Sequence, residues 1–148
     1  MIDLKAINED NFLNAFQLKL AEGQEKNVSN PIRSLAQAYV YRNQCQPFGI
    51  YDVDEMVGYV MVFYDYDIPE YDIWHMMIDA SRQGQGYGSA ALRQVLNYIK
   101  AKPLGNSNRV TLTCNKDNQI ALRLYHKFGF VETGVKEDDE IELSQMLK

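Results

Sequence analysis

Apolar positions along this chain recur with two periods. Short segments in which apolar residues alternate with polar ones, or form unbroken β-branched and aromatic runs, predict strands. Segments in which they recur every third or fourth position predict helices. Read in order, the 148 residues give a strand, two helices, three strands, a helix, a strand, a helix and two closing strands. This alternation predicts an α/β chain (α+β in some schemes).

The N-terminal part is predicted to hold one strand and two helices. Residues 2–7 alternate and predict the strand, and residues 8–10 can cap a first helix that ends at Gly23. The apolar positions of that helix are Phe12, Leu13, Phe16 and Leu20. Asn30 followed by Pro31 marks the start of the second helix. Its apolar stripe is expected at Ile32, Leu35, Ala36, Tyr39 and Val40.

The next three strands lead into a glycine-rich loop. Segments 47–51 and 56–64 flank an acidic turn and predict an antiparallel hairpin. An acidic loop follows, and residues 71–78 (YDIWHMMI) predict a buried strand. Behind it the loop, residues 81–88, carries glycines at three alternate positions, Gly84, Gly86 and Gly88.

A helix follows that loop and makes it a candidate anion site. The helix is predicted from apolar residues at helical spacing, Ala91, Leu92, Val95, Leu96 and Ile99. A strand, a glycine loop and a helix in this order direct backbone N–H groups and the positive helix end at one point. The arrangement favours binding of a phosphate ester.

Two common phosphate loops do not fit these residues. A P-loop requires Lys-Ser or Lys-Thr after its last glycine, and neither pair follows Gly88. The dinucleotide fingerprint spaces its glycines GxGxxG, whereas the spacing here is GxGxG.

The C-terminal part completes the order of elements. Residues 109–115 predict a strand, and residues 118–130 predict a helix that Gly129 ends. The apolar face of this helix is expected at Ile120, Ala121, Leu124, Tyr125 and Phe128. Segments 130–135 and 141–147 predict the two closing strands.

Composition narrows the class of function. The chain is 46% hydrophobic, as expected for a globular protein. Its formal net charge of −5 disfavours binding to nucleic acid and suits a cationic partner. Cys45 and Cys114 are far apart without a metal-binding pattern, so we expect no metal and a reducing compartment. With no apolar span and no leader pattern, we expect one cytoplasmic domain over residues 1–148, with no membrane contact.

Two segments carry a family resemblance. The pattern Q/R-x-x-G-x-G/A, at Gln83, Gly86 and Gly88, resembles the pyrophosphate loop of the GNAT N-acetyltransferase superfamily. The pattern N-x-x-A-x-x-L-Y-x-x-x-G-F within residues 118–130 resembles its second signature. The resemblance implies a mixed central sheet whose fourth and fifth strands are splayed. It also implies acetyl-CoA as cosubstrate, with the pantetheine arm lying in the gap.

The resemblance further implies which residues contact the cofactor. Met76, Met77 and Ile78 are expected to line the pantetheine, with the Met77 backbone polarising the thioester carbonyl. The loop is expected to hold the pyrophosphate through Arg82, Gln83, Gly84, Gln85, Gly86, Tyr87, Gly88 and Ser89. Asn118 is a further expected contact. Arg123 and Lys127 either reach the 3′-phosphate or form a solvated face.

Catalysis requires an acid and a base. The resemblance implies that Tyr125 protonates the departing thiolate, and a packed core tyrosine is the alternative. An ammonium substrate must also lose a proton. Glu70 and Asp72 are the nearest acids to the strand, and His75 titrates in a useful range. The base is left open among these three.

The acceptor is expected to be a primary amine. An acidic rim with aromatic side chains suits a polycation, and ordinary loop solvation is the alternative. This rim comprises Asp52, Asp54, Glu55, Asp65, Asp67, Glu70 and Asp72. The sequence is also similar to bacterial spermine/spermidine acetyltransferases, which implies a polyamine substrate and allows a homodimer. Acetylation of a protein N-terminus or another small amine, and a non-catalytic CoA-binding module, are the alternatives.

Overall fold

The computed structural model describes residues 1–22 and 30–148. Gly23, the expected end of the first helix, lies outside the described residues. The helices and strands are β1 (Ile2–Ala6), α1 (Phe12–Phe16), α2 (Pro31–Val40), β2 (Cys45–Asp52), β3 (Glu55–Asp65), β4 (Glu70–Ile78), α3 (Tyr87–Lys100), β5 (Arg109–Asn115), α4 (Gln119–Lys127), β6 (Val131–Glu137) and β7 (Glu140–Met146). Their order confirms the predicted α/β chain. No helix in the described ranges is long and apolar enough to cross a bilayer.

The seven strands form one mixed sheet, ordered β1-β2-β3-β4-β5-β7-β6. All neighbours are antiparallel except β4 and β5, which run parallel. These two pair only at Tyr71 with Val110 and at Asp72 with Thr111. Beyond Asp72 they part, which confirms the predicted splay. The parting leaves backbone groups of both strands without a partner strand in the middle of the sheet.

Helix α3 covers one face of the sheet. The five apolar residues that the sequence pattern assigned to its inner face are all buried. They join the larger hydrophobic core with β4 and β5 side chains such as Ile73 and Leu112. A fully buried aliphatic side chain contributes roughly 1.5–3 kcal/mol, so this face anchors the helix behind the glycine loop.

Helix α1, on the opposite face, is shorter than the pattern predicted. It ends at Phe16, and Ala15 is its one buried residue. Phe12, Leu13 and Phe16 are exposed, so the predicted apolar face is wrong. Leu20 lies beyond the helix end and packs in part against the smaller core. A single turn is too short to present a stripe of this kind.

Helix α2 begins as predicted but buries a different face. The Oδ1 atom of Asn30 accepts a hydrogen bond from the Arg33 N–H, and Pro31 occupies the first turn. The buried residues are Pro31 and Ser34. The predicted stripe is wrong, since three of its members are more than half exposed, Ile32, Tyr39 and Val40. The Ser34 hydroxyl turns inward because it forms a hydrogen bond with the Tyr59 hydroxyl of β3.

Helix α4 ends as predicted at a glycine. Gly129 has φ 97°, and its N–H donates to the His126 carbonyl while the Phe130 N–H donates to the Tyr125 carbonyl. This paired pattern is a Schellman cap. One residue of the predicted apolar face, Ile120, is 81% exposed instead. Leu122 is the buried residue of the helix.

Candidate active site

The parting of β4 and β5 opens a cavity of about 590 Å³. Its walls come from the C-terminal half of β4, the glycine loop with the start of α3, β5 and α4. Gln37 of α2 also lines it. The volume lies within the range of small-molecule and cofactor sites.

A β-bulge shapes the β4 wall. Tyr59 of β3 pairs with Met77 and Met61 pairs with Trp74, so His75 and Met76 together oppose one β3 residue. His75 has φ 58°, in the left-handed region that non-glycine residues rarely adopt. A bulge bends its strand and re-aims side chains. Here it lies where β4 leaves β5 and directs His75 into the cavity wall.

The ladder between β3 and β4 corrects the role expected for the Met77 backbone. The Asp79 N–H donates to the Val57 carbonyl at 2.8 Å. Antiparallel strands bond to a given neighbour at every second residue, so Met77, two residues earlier, also turns its peptide groups to β3. The N–H of Ile78 faces the gap instead. Met77 therefore lines the cavity by its side chain, and Ile78 offers the backbone donor.

The glycine loop has the backbone form that an anion site needs. Gly84 and Gly86 have φ values of 78° and 82°, which glycine adopts without steric cost. Gly86 is the N-cap of α3 and provides no side-chain cap. The first N–H groups of α3 therefore point at the cavity without an intrahelical acceptor.

Two side chains brace the loop. Arg82 pairs with Glu55 at the start of β3. The Gln83 Nε2 donates to the Ile78 carbonyl at 3.0 Å. These contacts tie the loop to the start of β3 and to the end of β4. A phosphate that recruits Arg82 must therefore compete with Glu55.

Tyr125 reaches the cavity from α4. Its ring packs edge-on against Phe130, with the centroids 6.0 Å apart. Within residues 1–22 and 30–148, its hydroxyl has no hydrogen-bond partner. Burial raises the pKa of Tyr125, so the phenol keeps its proton through the neutral range. A protonated hydroxyl in the cavity wall is the form that a general acid requires.

Cys114 of β5 lines the same cavity. Burial raises the pKa of its thiol to about 11. The thiol is therefore protonated at neutral pH and is a poor nucleophile.

His75 is held by a buried hydrogen-bond chain. Its Nδ1 lies 2.7 Å from the Ser34 Oγ, which lies 2.8 Å from the Tyr59 hydroxyl. Ser34 and Tyr59 are both fully buried. Burial, followed by the charge of Arg33, lowers the pKa of His75 to about 4. The imidazole is therefore neutral at pH 7.

The two carboxylates proposed as bases are held in the paired part of β4, next to β5. Glu70 accepts a 2.7 Å hydrogen bond from the Arg109 Nε and one from Thr111, so it ties β4 to β5. Asp72 is half-buried, and burial and then Glu70 raise its pKa to about 7. It directly precedes Ile73, the first residue of β4 that lines the cavity. Neither carboxylate lines the cavity.

Most of the predicted contacts meet at this cavity. The predicted residues that line it are His75, Met76, Met77, Ile78, Arg82, Gln83, Gly84, Gly86, Tyr87, Gly88, Ser89, Asn118 and Tyr125. The Asn118 Oδ1 also caps α4 through the Ala121 N–H. Gln85, Arg123 and Lys127 are exposed and outside the lining. Their phosphate contacts stay predictions.

The acidic rim is divided between two ends of the sheet. Residues 52–55 lie at the start of β3, and residues 65–70 lie at its far end. Eleven extended residues separate the two groups by roughly 33 Å. The first group is beside the glycine loop, where the Tyr87 hydroxyl donates to Asp52. The acidic residues therefore lie near the ends of the central strands, as expected, but in two separate groups.

The sequence missed the residue that α2 contributes. Gln37 lines the cavity, although the predicted stripe of α2 excluded it. No sequence signal distinguished it, because its position depends on how α2 packs against β3.

The chain belongs to the acetyltransferase (GNAT) family. The family model matches residues 12–130, which span the cavity, the glycine loop and α4. The protein is therefore an acyltransferase, as the sequence predicted.

The chain is similar in sequence or in fold to several acetyltransferases. The chain is 27% identical to the spermine/spermidine N(1)-acetyltransferase of Bacillus subtilis, over 90% of both chains. The spermidine N-acetyltransferase of Vibrio cholerae, solved with CoA and spermine, is 17% identical with a TM-score of 0.75, covering 98% of this chain and 95% of that one. An acetyltransferase from Salmonella typhimurium that modifies the N-terminal serine of ribosomal protein L7/L12 is 17% identical with a TM-score of 0.76, covering 99% and 95%.

Proposed function

We propose that this protein transfers an acetyl group from acetyl-CoA to a primary amine of a polyamine such as spermidine or spermine. The parted strands carry the proposal. They leave an extended path between β4 and β5 that ends at the glycine loop. An acyl carrier with an extended amide arm and a diphosphate matches both features. The whole of residues 1–148 is proposed to act as one catalytic domain.

In this proposal the backbone binds most of the cofactor. The N–H of Ile78 pairs with an amide of the pantetheine, as an added strand would. The N–H groups at the start of α3 hold the diphosphate, and Arg82 adds charge when it leaves Glu55. Side chains of Met76 and Leu112 provide apolar walls for the arm.

The transfer is a direct displacement. The amine nitrogen attacks the thioester carbonyl, the C–N bond forms, and the C–S bond breaks with its electron pair on sulfur. Tyr125 gives its proton to that sulfur. A substrate that arrives as an ammonium loses one proton before the nitrogen attacks and a second once the C–N bond has formed. His75, the proposed base candidate that lines the cavity, takes the first, and the second restores the Tyr125 hydroxyl. The neutral His75 ring can accept a proton without first losing one.

The curated relative supports a polyamine as acceptor, since the similarity extends over 90% of both chains. A protein N-terminus is the second candidate, because the Salmonella enzyme aligns over 99% of this chain. Both acceptors present a primary amine, so the same cavity chemistry serves either one.

The test is thiol release from acetyl-CoA with a panel of amines. Spermine, spermidine, a peptide with an N-terminal serine, glutamate and an aminoglycoside are compared at equal concentration. We expect the two polyamines to give the highest kcat/KM. Release with the peptide alone would move the assignment to a protein N-terminus. Binding of CoA without release from any amine would contradict the proposed reaction.

A further inference from the structure

The side-chain oxygen of Gln37 is a buried acceptor without a donor. Among the residues that the structure describes, nothing hydrogen-bonds to its Oε1. Gln37 nevertheless lines the cavity. It lies three residues after the buried Ser34 on α2, so both side chains turn to the sheet. A buried acceptor left unpaired destabilises the protein, and a bound donor would remove that cost.

Gln37 approaches the cavity from the face opposite α3 and α4. Trp74 and Met77 belong to the smaller core, where Leu35 and Ala38 of α2 also pack. Leu112 and Tyr125 belong to the larger core, with α3. Trp74, Met77, Leu112 and Tyr125 all line the same cavity. The gap between β4 and β5 therefore joins the two faces of the sheet. With the cofactor held by α3 and α4, the α2 side is left for the acceptor.

The wall on the α2 side suits a nitrogen that carries hydrogens. The His75 ring beside it is neutral at pH 7, so it does not repel an ammonium group. Trp74 lines the same wall, with its ring stacked 4.2 Å from that of Phe63. An aromatic face attracts cations, and a carbonyl oxygen accepts from an N–H.

We propose that the Gln37 Oε1 accepts a hydrogen bond from the acceptor nitrogen and so holds the amine beside the thioester. The inference rests on the proposed acetyl transfer and names a residue that positions its nucleophile. Gln37 undergoes no covalent change and moves no proton.

Two substitutions separate this role from a structural one. Gln37→Leu keeps the size and removes the acceptor, whereas Gln37→Glu keeps an oxygen acceptor. Gln46→Leu is the matched control. Gln46 is half-buried on β2, and among the described residues its side chain hydrogen-bonds only the Pro47 carbonyl. Initial rates with spermidine and acetyl-CoA give KM for each substrate, and thermal melting reports folding.

For Gln37→Leu we expect KM for the amine to rise about tenfold or more, the loss for one hydrogen bond to a charged donor. KM for acetyl-CoA and the melting temperature should not worsen, since the substitution removes an unpaired buried polar atom. Gln37→Glu should keep KM for the amine within about threefold, and Gln46→Leu should change neither KM.

The result that would overturn the inference is an unchanged amine KM in a folded Gln37→Leu protein. Equal losses in Gln37→Leu and Gln37→Glu would also overturn it, because that pattern requires a donor at residue 37. If the parent acetylates only a peptide N-terminus, the polyamine proposal fails. The same variants are then compared with that peptide, and the Gln37 inference is judged on its KM.

Discussion

The Ser34 Oγ lies 2.7 Å from the His75 Nδ1, and this hydrogen bond joins α2 to the bulge in β4. Ser34 is fully buried and also meets the Tyr59 hydroxyl at 2.8 Å. Either oxygen of the Ser34–Tyr59 pair can be the donor, and the role of the His75 Nδ1 follows from the tautomer of its ring. This hydrogen-bond chain fixes the position of the imidazole.

We predict that Ser34→Ala lowers kcat while KM for acetyl-CoA stays near the parent value. The substitution leaves Tyr59 and His75 without their buried partner, which costs about 1–3 kcal/mol in unfolding free energy. Denaturant unfolding and initial rates check the two effects. Ser107→Ala is the control, since within the described part of the chain the Ser107 hydroxyl accepts only from the backbone N–H of Arg109. An unaltered kcat in Ser34→Ala would remove the positioning role.

We predict that Gly86→Ala weakens CoA binding and Gly88→Ala does not. Gly86 has φ 82°, where an added Cβ is strained by about 1–2 kcal/mol. At Gly88 the added Cβ would meet the Leu124 Cδ2 at 3.7 Å, an ordinary contact. Calorimetric titration with CoA and a thermal melt check both variants. Equal losses in the two would mean that the loop tolerates no side chain for reasons other than φ.

The glycine loop illustrates what the sequence could predict. Three glycines between a strand pattern and a helix pattern are local information. The structure places Gly84 and Gly86 between β4 and α3, and Gly88 in the first turn of α3. The buried face of α3 followed from helical spacing for the same reason. The parting of β4 and β5 was predicted from the family resemblance and not from the periodicity of apolar residues.

The α2 side of the cavity shows what the sequence could not predict. The inward turn of Ser34 depends on Tyr59, 25 residues away on another strand. The bulge at His75 depends on the register with β3, which no local pattern encodes. Gln37 could not be predicted for the same reason, since the hydrophobic pattern predicted that a different face of α2 is buried. Polar contacts between distant elements decided this part of the site.

We predict that Glu55→Gln increases the affinity for CoA and Arg82→Gln decreases it. Arg82 is paired with Glu55, and the proposal needs it to turn to a phosphate. Removing an exposed partner should change Kd by no more than about fivefold. Titration at low and high salt checks the charge origin, because screening reduces both effects. A loss of affinity in Glu55→Gln would show that the pair supports the loop.

We predict that Tyr125→Phe lowers kcat by about 10²–10⁴-fold with CoA affinity nearly unchanged. The hydroxyl has no partner among the described residues, so its removal breaks no protein hydrogen bond. Rate measurements and calorimetry on one preparation separate the two quantities. Tyr39→Phe, at an exposed tyrosine, is the control. Unchanged turnover in Tyr125→Phe would assign the acid role elsewhere.

We predict that Asp72 and His75 give opposite pH dependences of stability. The folded-state pKa of Asp72 is raised to about 7, so the folded protein binds more protons than the unfolded chain between about pH 4 and 7. The contribution of Asp72 therefore weakens the fold as pH rises through that range. Relative to the parent, Asp72→Asn should gain stability from pH 4 to 7, by at most about 1.4 kcal/mol per unit of pKa difference.

The stability of the His75 variant, relative to the parent, should depend on pH in the opposite direction. Its folded-state pKa is lowered to about 4, so between about pH 4 and 6.5 the unfolded chain binds more protons. The neutral ring therefore stabilises the parent increasingly as pH rises through that window. Relative to the parent, His75→Gln should lose more stability at pH 7 than at pH 4. Urea unfolding at pH 4, 5, 6 and 7 measures both series, and parallel curves for the two variants would contradict the assigned directions.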